Sequence, residues 1–200
     1  MIAIIDYGIG NLRSVQKALE KVGAKAQITQ NPTEIRQAQK VVLPGVGAMQ
    51  PAMQKLKELK LIDLIQETIA SGKPFLGICL GLQLLFEKSY EGGEVEGIGI
   101  LRGTVERFSS LKVPHMGWNQ IKIERPNARL LAGCENESTF YFCHSYFVRP
   151  KDPAVVAATT DYGVEFTCVV EQGNIFGVQF HPEKSQSQGL KVLKNFIQLN

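Results

Sequence analysis

Pro74-Phe75-Leu76-Gly77-Ile78-Cys79-Leu80-Gly81-Leu82-Gln83-Leu84-Leu85-Phe86 is the stretch from which the fold is read. Phe75 to Ile78 is a short apolar run, the mark of a strand buried on both faces. Leu82 to Phe86 is also apolar but reads as a helix packed on the sheet. Cys79 lies between them, flanked two residues away by Gly77 and Gly81. A sharp strand-to-helix turn needs small neighbours, because side chains there collide with the bend. This is the logic of the G-x-S-x-G nucleophile elbow, with sulfur in place of oxygen. The turn puts Cys79 at a helix N-terminus, where unpaired amides and the helix dipole favour a thiolate. It also points the Leu80 amide at any oxyanion formed beside the sulfur. A free cysteine is more often a small buried core residue, so the elbow needs support from elsewhere in the chain.

Support comes first from the rhythm on the N-terminal side. Ile2 to Ile5 is an apolar strand ending at Asp6, and Tyr7-Gly8-Ile9-Gly10-Asn11 is a turn. Leu12, Val15, Ala18, Leu19 and Val22 then share one helix face, stopped by Gly23. The third glycine of a dinucleotide fingerprint is missing, since position 13 is Arg13, so the turn is read as a turn and not as a phosphate cradle. Ala26 to Thr29 is a second strand. Asn31, Pro32 and Glu34 fit the N-cap, N1 and N3 positions of a helix. Val41 to Leu43 is a third strand, running into the loop Pro44-Gly45-Val46-Gly47-Ala48, whose glycines let main chain approach a ligand. Helical patterns fill Pro51 to Leu59 and Leu61 to Ala70.

Strands alternating with helices up to Lys88 predict an α/β fold: a doubly wound, mostly parallel sheet with helices on both faces. Ligands in such sheets bind at the carboxyl ends of strands, and Asp6, Pro44 and Cys79 all fall there. After Lys88 the pattern changes to extra β-strands. Strand signals cover Ile98 to Leu101, Thr104 to Phe108, Gln120 to Ile123, Thr139 to Val148, Val155 to Thr160, Val164 to Val170 and Ile175 to Phe180. Gln172-Gly173-Asn174 is a hairpin turn, and Leu190, Leu193, Phe196 and Ile197 mark a last helix. The expectation is one domain over 1–200, with a change of layer near Lys88 and not a domain boundary.

Composition removes several function classes. With 44% hydrophobic and 20% charged residues the chain has an ample core. The net charge of +3 is spread along the chain without a basic run, so no nucleic-acid partner is expected. No apolar stretch reaches the roughly 20 residues of a membrane span, and no signal peptide is expected. Cys79, Cys134, Cys143 and Cys168 form no C-x-x-C pair and there are three histidines, so no metal and no cofactor is expected. A reducing cytoplasm is the simple reading.

The second half of the site is Phe180-His181-Pro182-Glu183-Lys184. Pro182 keeps His181 extended, and residues i and i+2 of an extended chain point the same way. Glu183 is therefore expected beside the His181 imidazole, where a carboxylate holds the tautomer and stabilises the imidazolium. Cys79, His181 and Glu183 have the parts of a nucleophile, a base and an orienter.

Gly77-Ile78-Cys79-Leu80-Gly81-Leu82-Gln83, Pro44-Gly45-Val46-Gly47 and His181-Pro182-Glu183 together resemble the triad class of glutamine amidotransferases. Asp6-Tyr7-Gly8-Ile9-Gly10-Asn11-Leu12 and Pro114-His115-Met116-Gly117-Trp118-Asn119 resemble the branch that serves imidazole glycerol phosphate synthase as its glutaminase. The resemblance implies a flavodoxin-like class I amidotransferase fold and hydrolysis of L-glutamine through a Cys79 thioester. It implies an oxyanion hole from the Leu80 amide and the Val46 and Gly47 loop, and substrate contacts from Gly45, Gln83, His144, Ser145 and Tyr146. It also implies a heterodimer with a (β/α)8-barrel cyclase that consumes the ammonia in histidine biosynthesis. Asn11, Trp118, Asn119 and Lys184, expected on loops at the active edge of the sheet, are the partner-facing candidates. Two alternatives keep the fold: a glutaminase serving another synthase, and a non-catalytic regulatory subunit whose cysteine is a relic.

Overall fold

The structure is a computed structural model that describes residues 1–109 and 111–199; Ser110 and Asn200, which belong to the expected 1–200 unit, lie outside the described residues. The chain runs β1 (Ile2–Ile5), α1 (Leu12–Lys21), β2 (Ala26–Thr29), α2 (Pro32–Gln37), β3 (Lys40–Gly45), α3 (Met49–Glu58), α4 (Leu61–Ala70), β4 (Phe75–Cys79) and α5 (Leu80–Leu84). It continues through β5 (Phe86–Ser89), β6 (Val95–Glu96), β7 (Leu101–Arg107), β8 (His115–Gln120), β9 (Lys122–Ile123), β10 (Thr139–His144), β11 (Tyr146–Pro150), β12 (Val156–Asp161), β13 (Glu165–Gln172), β14 (Ile175–Val178) and α6 (Gln186–Gln198).

Five adjacent strands, β2-β1-β3-β4-β14, are parallel and form the centre of the main sheet. From β14 the sheet continues through β13, β11, β7, β5 and β6, mostly antiparallel. Residues of β1 alternate between the two cores: Ile2 and Ile4 pack with Val15 and Leu19 of α1 and Val192 and Phe196 of α6. Ala3 and Ile5 pack with Met53 and Leu56 of α3 and Leu64 and Ile65 of α4. Such strands, buried on both faces, are the apolar runs that the sequence shows. The Asn31 side chain caps α2 by accepting from the Thr33 amide at 2.9 Å. Gly173, at φ +57, makes the β13–β14 hairpin with Gln172 paired to Ile175.

Several segments differ from the sequence reading. Of the expected strand Ile98 to Leu101 only Leu101 lies in a strand, the first residue of β7, and the expected strand Gln120 to Ile123 is interrupted at Ile121 between β8 and β9. The helix after Cys79 covers Leu80–Leu84, and Phe86, expected at its end, opens β5. The carbonyls of Leu84 and Leu85 accept from the amides of Ile98, Ile100 and Leu101, so the chain is drawn into the sheet before a second turn forms. The expected strand Thr139 to Val148 is broken at Ser145: β10 pairs with β8 in a separate two-stranded sheet, and β11 joins the main sheet. Trp118 and Asn119 stand on strand β8 and not on a loop.

The elbow itself has no spare room. A Cβ on Gly81 would lie 1.8 Å from the Leu43 carbonyl oxygen, and one on Gly77 would lie 2.7 Å from the Gly81 carbonyl oxygen. Replacing Gly81 by alanine must therefore push α5 off β3. The expected outcome is a loss of stability of about 3 kcal/mol or more, seen as a lower urea midpoint; an unchanged midpoint would contradict this packing.

Candidate active site

Cys79 ends β4 with φ 55 and ψ −111, outside the regions that a side chain prefers. The backbone turns there because β4 and α5 must cross within the space that Gly77 and Gly81 leave. Strain of this kind costs on the order of 1–3 kcal/mol and persists only where the surroundings over-determine it. The pairing of β14 with β4, Val178 opposite Ile78, brings the segment after β14 beside Cys79. His181 Nδ1 lies 2.9 Å from Glu183 Oε1, with both side chains almost fully buried. The contact is as expected but its route is not: the extended conformation stops at His181, and Pro182–Lys184 is a single turn of 3-10 helix that folds Glu183 back. Ser185, fully buried, staples the segment by donating to the His181 carbonyl at 2.7 Å and accepting from the Tyr141 amide at 2.9 Å.

Burial disfavours a charged His181, but its hydrogen bonds and charge interactions with Cys79 and Glu183 outweigh that and raise it to about 10. Tyr7 stands under the Gly45 loop: a Cβ on Gly45 would lie 2.4 Å from its hydroxyl. That hydroxyl is buried with no hydrogen-bond partner, and burial together with the neighbouring Cys79 keeps it protonated far above the usual phenol range.

Cys79 opens into a cleft of about 380 Å³, lined also by Gly47, Leu80, Gln83, His144, Ser145 and Tyr146. Most of the expected substrate contacts thus meet in one place, because the break at Ser145 turns the chain across the mouth of α5. Gly45 and Val46 do not line it; with Asn11, His181 and Glu183 they border a separate narrow void. Glu91, which sequence reasoning passed over, adds a carboxylate to the cleft while its Oε2 accepts from the Met49 amide at 2.7 Å. Glu91 sits in a polar, glycine-rich stretch that gives no pattern by which to single it out.

His144 differs from expectation in what it can do. Asn119 Nδ2 donates to the Asp161 carbonyl at 2.9 Å and to His115 Nε2 at 3.2 Å. His115 Nδ1 then donates to His144 Nε2 at 2.9 Å, and His144 Nδ1 donates to the Tyr146 carbonyl at 2.8 Å. Both ring nitrogens of His144 are engaged within the chain, so it shapes the bend at Ser145 and offers no hydrogen bond to a ligand. Asn119 is likewise turned inward, its Oδ1 accepting from the Gln120 amide at 2.8 Å. Of the other partner-facing candidates, Asn11 and Lys184 are exposed, and Trp118 is 49% exposed and not a core plug. Trp118 and Lys184 flank Tyr141, whose ring stands 6.5 Å from that of His181. Tyr141 was missed because its strand shows only an apolar alternation.

Among the described residues no group of three His, Cys, Asp or Glu side chains is placed to hold a metal, and no helix is long and apolar enough to cross a membrane.

A parallel α/β sheet carrying a strained cysteine elbow, with a buried histidine–glutamate pair on the neighbouring strand's end, is the architecture of a known enzyme family. Residues 3–199 match the family model for glutamine amidotransferase class-I, and the chain belongs to that family. The imidazole glycerol phosphate synthase subunit HisH of Moorella thermoacetica is 54% identical over 199 residues, covering 99% of this chain and 94% of that protein. The subunit of the same name from Rhodopirellula baltica is 52% identical over 199 residues, covering 98% and 96%. A crystal structure of a glutamine amidotransferase has the same fold, with a TM-score of 0.78 at 18% identity over 99% of this chain and 98% of that one.

The histidine chain carries a pH dependence. Burial lowers His115 from 6.5 to about 4. Burial, and to a smaller degree the charges of His115 and His181, lower His144 to about 3 against the opposing bond to Tyr146. Both are neutral in the fold, whereas the unfolded chain binds protons below about 6.5. Folding stability from this pair is complete above pH 6.5 and is lost as pH falls toward 4 and 3. Urea melts between pH 7 and pH 4 should show a smaller loss in His115→Gln than in the wild type; equal losses would contradict the assignment.

Proposed function

We propose that residues 1–200 act as a single amidotransferase domain that hydrolyses L-glutamine to glutamate and ammonia. The ammonia passes to a (β/α)8-barrel cyclase subunit of imidazole glycerol phosphate synthase, which makes imidazole glycerol phosphate and aminoimidazole carboxamide ribotide in histidine biosynthesis. The observation that carries the chemistry is Cys79, at φ 55, on a strand paired with the one that leads to His181, whose imidazole Glu183 holds at 2.9 Å. The choice of branch rests on relatives more than 50% identical over nearly the whole chain. The cytoplasm is the compartment in which this pathway and four unpaired cysteines fit together.

In this reading Cys79 Sγ attacks the side-chain amide carbon of glutamine. The oxyanion is held by the Leu80 amide and an amide of the Val46-Gly47 segment. The His181 imidazolium gives its proton to the departing ammonia, leaving a glutamyl thioester, and the neutral imidazole then takes a proton from the attacking water. Glu183 keeps the other ring nitrogen oriented throughout. The Glu91 carboxylate and the Gln83 Oε1 atom are the acceptors for the substrate's ammonium group, and Ser145 and Tyr146 close the cleft. Gly45 gives the loop its close approach to α5, and the exposed Asn11, Trp118 and Lys184 face the cyclase.

The test is glutamine hydrolysis by the purified chain, alone and with a barrel cyclase and its nucleotide ligand. Cys79→Ala is expected to abolish activity, and His181→Ala to lower kcat by roughly 10²–10⁴-fold. Activity that depends on Cys79 and rises with the cyclase supports both chemistry and partner. Cys79-dependent activity indifferent to the cyclase would remove the pathway, and inactivity under every condition would favour a regulatory subunit.

Trp118→Ala is expected to weaken the complex by about 2 kcal/mol, as an exposed aromatic anchor does, with the urea midpoint unchanged. Titration calorimetry reads the affinity, and a wild-type dissociation constant would exclude Trp118 from the interface.

A further inference from the structure

One polar contact to the Cys79 sulfur comes from a residue without a role so far. Gln179 is fully buried, and its Nε2 lies 3.7 Å from Cys79 Sγ. Its backbone amide donates to the Cys168 carbonyl at 2.8 Å, which extends the sheet pairing past β14 and fixes the residue against β13. Its side-chain oxygen accepts from Gln83 Nε2 at 3.1 Å, and the same Gln83 nitrogen donates to the Tyr146 carbonyl at 2.9 Å.

This arrangement orients both amides. A backbone carbonyl only accepts, so Gln83 must turn its nitrogen toward Tyr146. The second N–H of that nitrogen reaches Gln179, which must present oxygen there and nitrogen to the sulfur. The sulfur has a second neighbour of opposite character, the Cys143 carbonyl at 3.9 Å. A neutral thiol donates its S–H to that carbonyl. A thiolate has no proton to donate and requires donors, and Gln179 is a donor in every protonation state of the site. Its burial keeps water from competing, and hydrogen bonds to a charged acceptor are the strong ones.

We propose that Gln179 is a catalytic residue that donates its amide N–H to the Cys79 sulfur whenever that sulfur is anionic, and that Gln83 holds the amide in its donating orientation. The inference rests on the glutaminase reading of this site. It acts at two moments. Before attack it stabilises the thiolate. During thioester breakdown, water adds to the acyl carbon and loses a proton to His181, the C–S bond breaks, and its electron pair returns to sulfur. Gln179 and the His181 imidazolium then hold the charge that the leaving thiolate regains.

The experiment compares wild type, Gln179→Met, which keeps the length without a donor, and Gln179→Glu, which places an acceptor at the sulfur. Iodoacetamide alkylation of Cys79 at pH 7, followed by mass spectrometry, is expected to slow about tenfold in Gln179→Met and further in Gln179→Glu. In turnover with the cyclase complex, Gln179→Met should lower kcat more than it changes KM and should accumulate glutamyl thioester, which a packing role alone does not produce. A folded Gln179→Met with wild-type alkylation and no accumulated thioester would overturn the proposal. If that variant does not fold, Gln83→Met decides by alkylation alone, because it frees Gln179 to turn its oxygen to the sulfur; a wild-type rate there also overturns it. A wild type that is alkylated in a Gln179-dependent way but never hydrolyses glutamine would instead remove the glutaminase reading.

Discussion

The crossing of α5 over β3 and β4 is the constraint on which the site depends. Backbone meets backbone there: Gly81 lies against the Leu43 carbonyl and Gly77 against Gly81 and Leu82, with no space for a Cβ at either glycine. A helix that begins this close to the strand it leaves forces the residue at the corner into positive φ, and that residue is Cys79. The strain is sustained because two apolar cores, one on each face of the sheet, pack the strand and the helix in place. The geometry that sets Cys79 at the cleft is thus a by-product of packing that the whole sheet supports.

Around that corner the fold assembles groups from distant parts of the chain. The parallel pairing of β14 with β4 brings His181 to the sulfur, and the single 3-10 turn after it brings Glu183 to His181. The small sheet β8–β10 holds this segment from outside, through the bond from the His181 amide to the Tyr141 carbonyl and through Ser185. The break at Ser145 then sends the chain into the main sheet and shapes the cleft on its way.

The three histidines show how environment decides protonation. All are nearly inaccessible to water, and burial opposes charge on each. His181 has a carboxylate and a sulfur as partners and is raised to about 10. His115 and His144 have mainly each other, an amide and a carbonyl, so burial wins and both stay neutral. His181 is therefore the one imidazole whose surroundings favour a proton, while the other two are fixed, neutral links between β8, β10 and β11.

Much of this was legible in the sequence. The apolar runs of β1, β3 and β4 and the helical faces between them define the parallel sheet, because period and burial are local properties. Gly77, Cys79 and Gly81 mark the elbow, and His181 with Glu183 marks the pair beside it, because these relations span only a few residues. The end of α5 at Leu84, the split of β10 from β11, the placement of Trp118 on a strand and the inward turn of His144 and Asn119 were decided by the tertiary structure. In each case the deciding partner is remote: Ile98 and Leu101 for the helix end, separate sheets for the split strand, Asp161 and His115 for the asparagine. Gln179 shows the same division. Nothing local singles it out, and only the folded sheet brings Cys79 and Gln83 to its two ends.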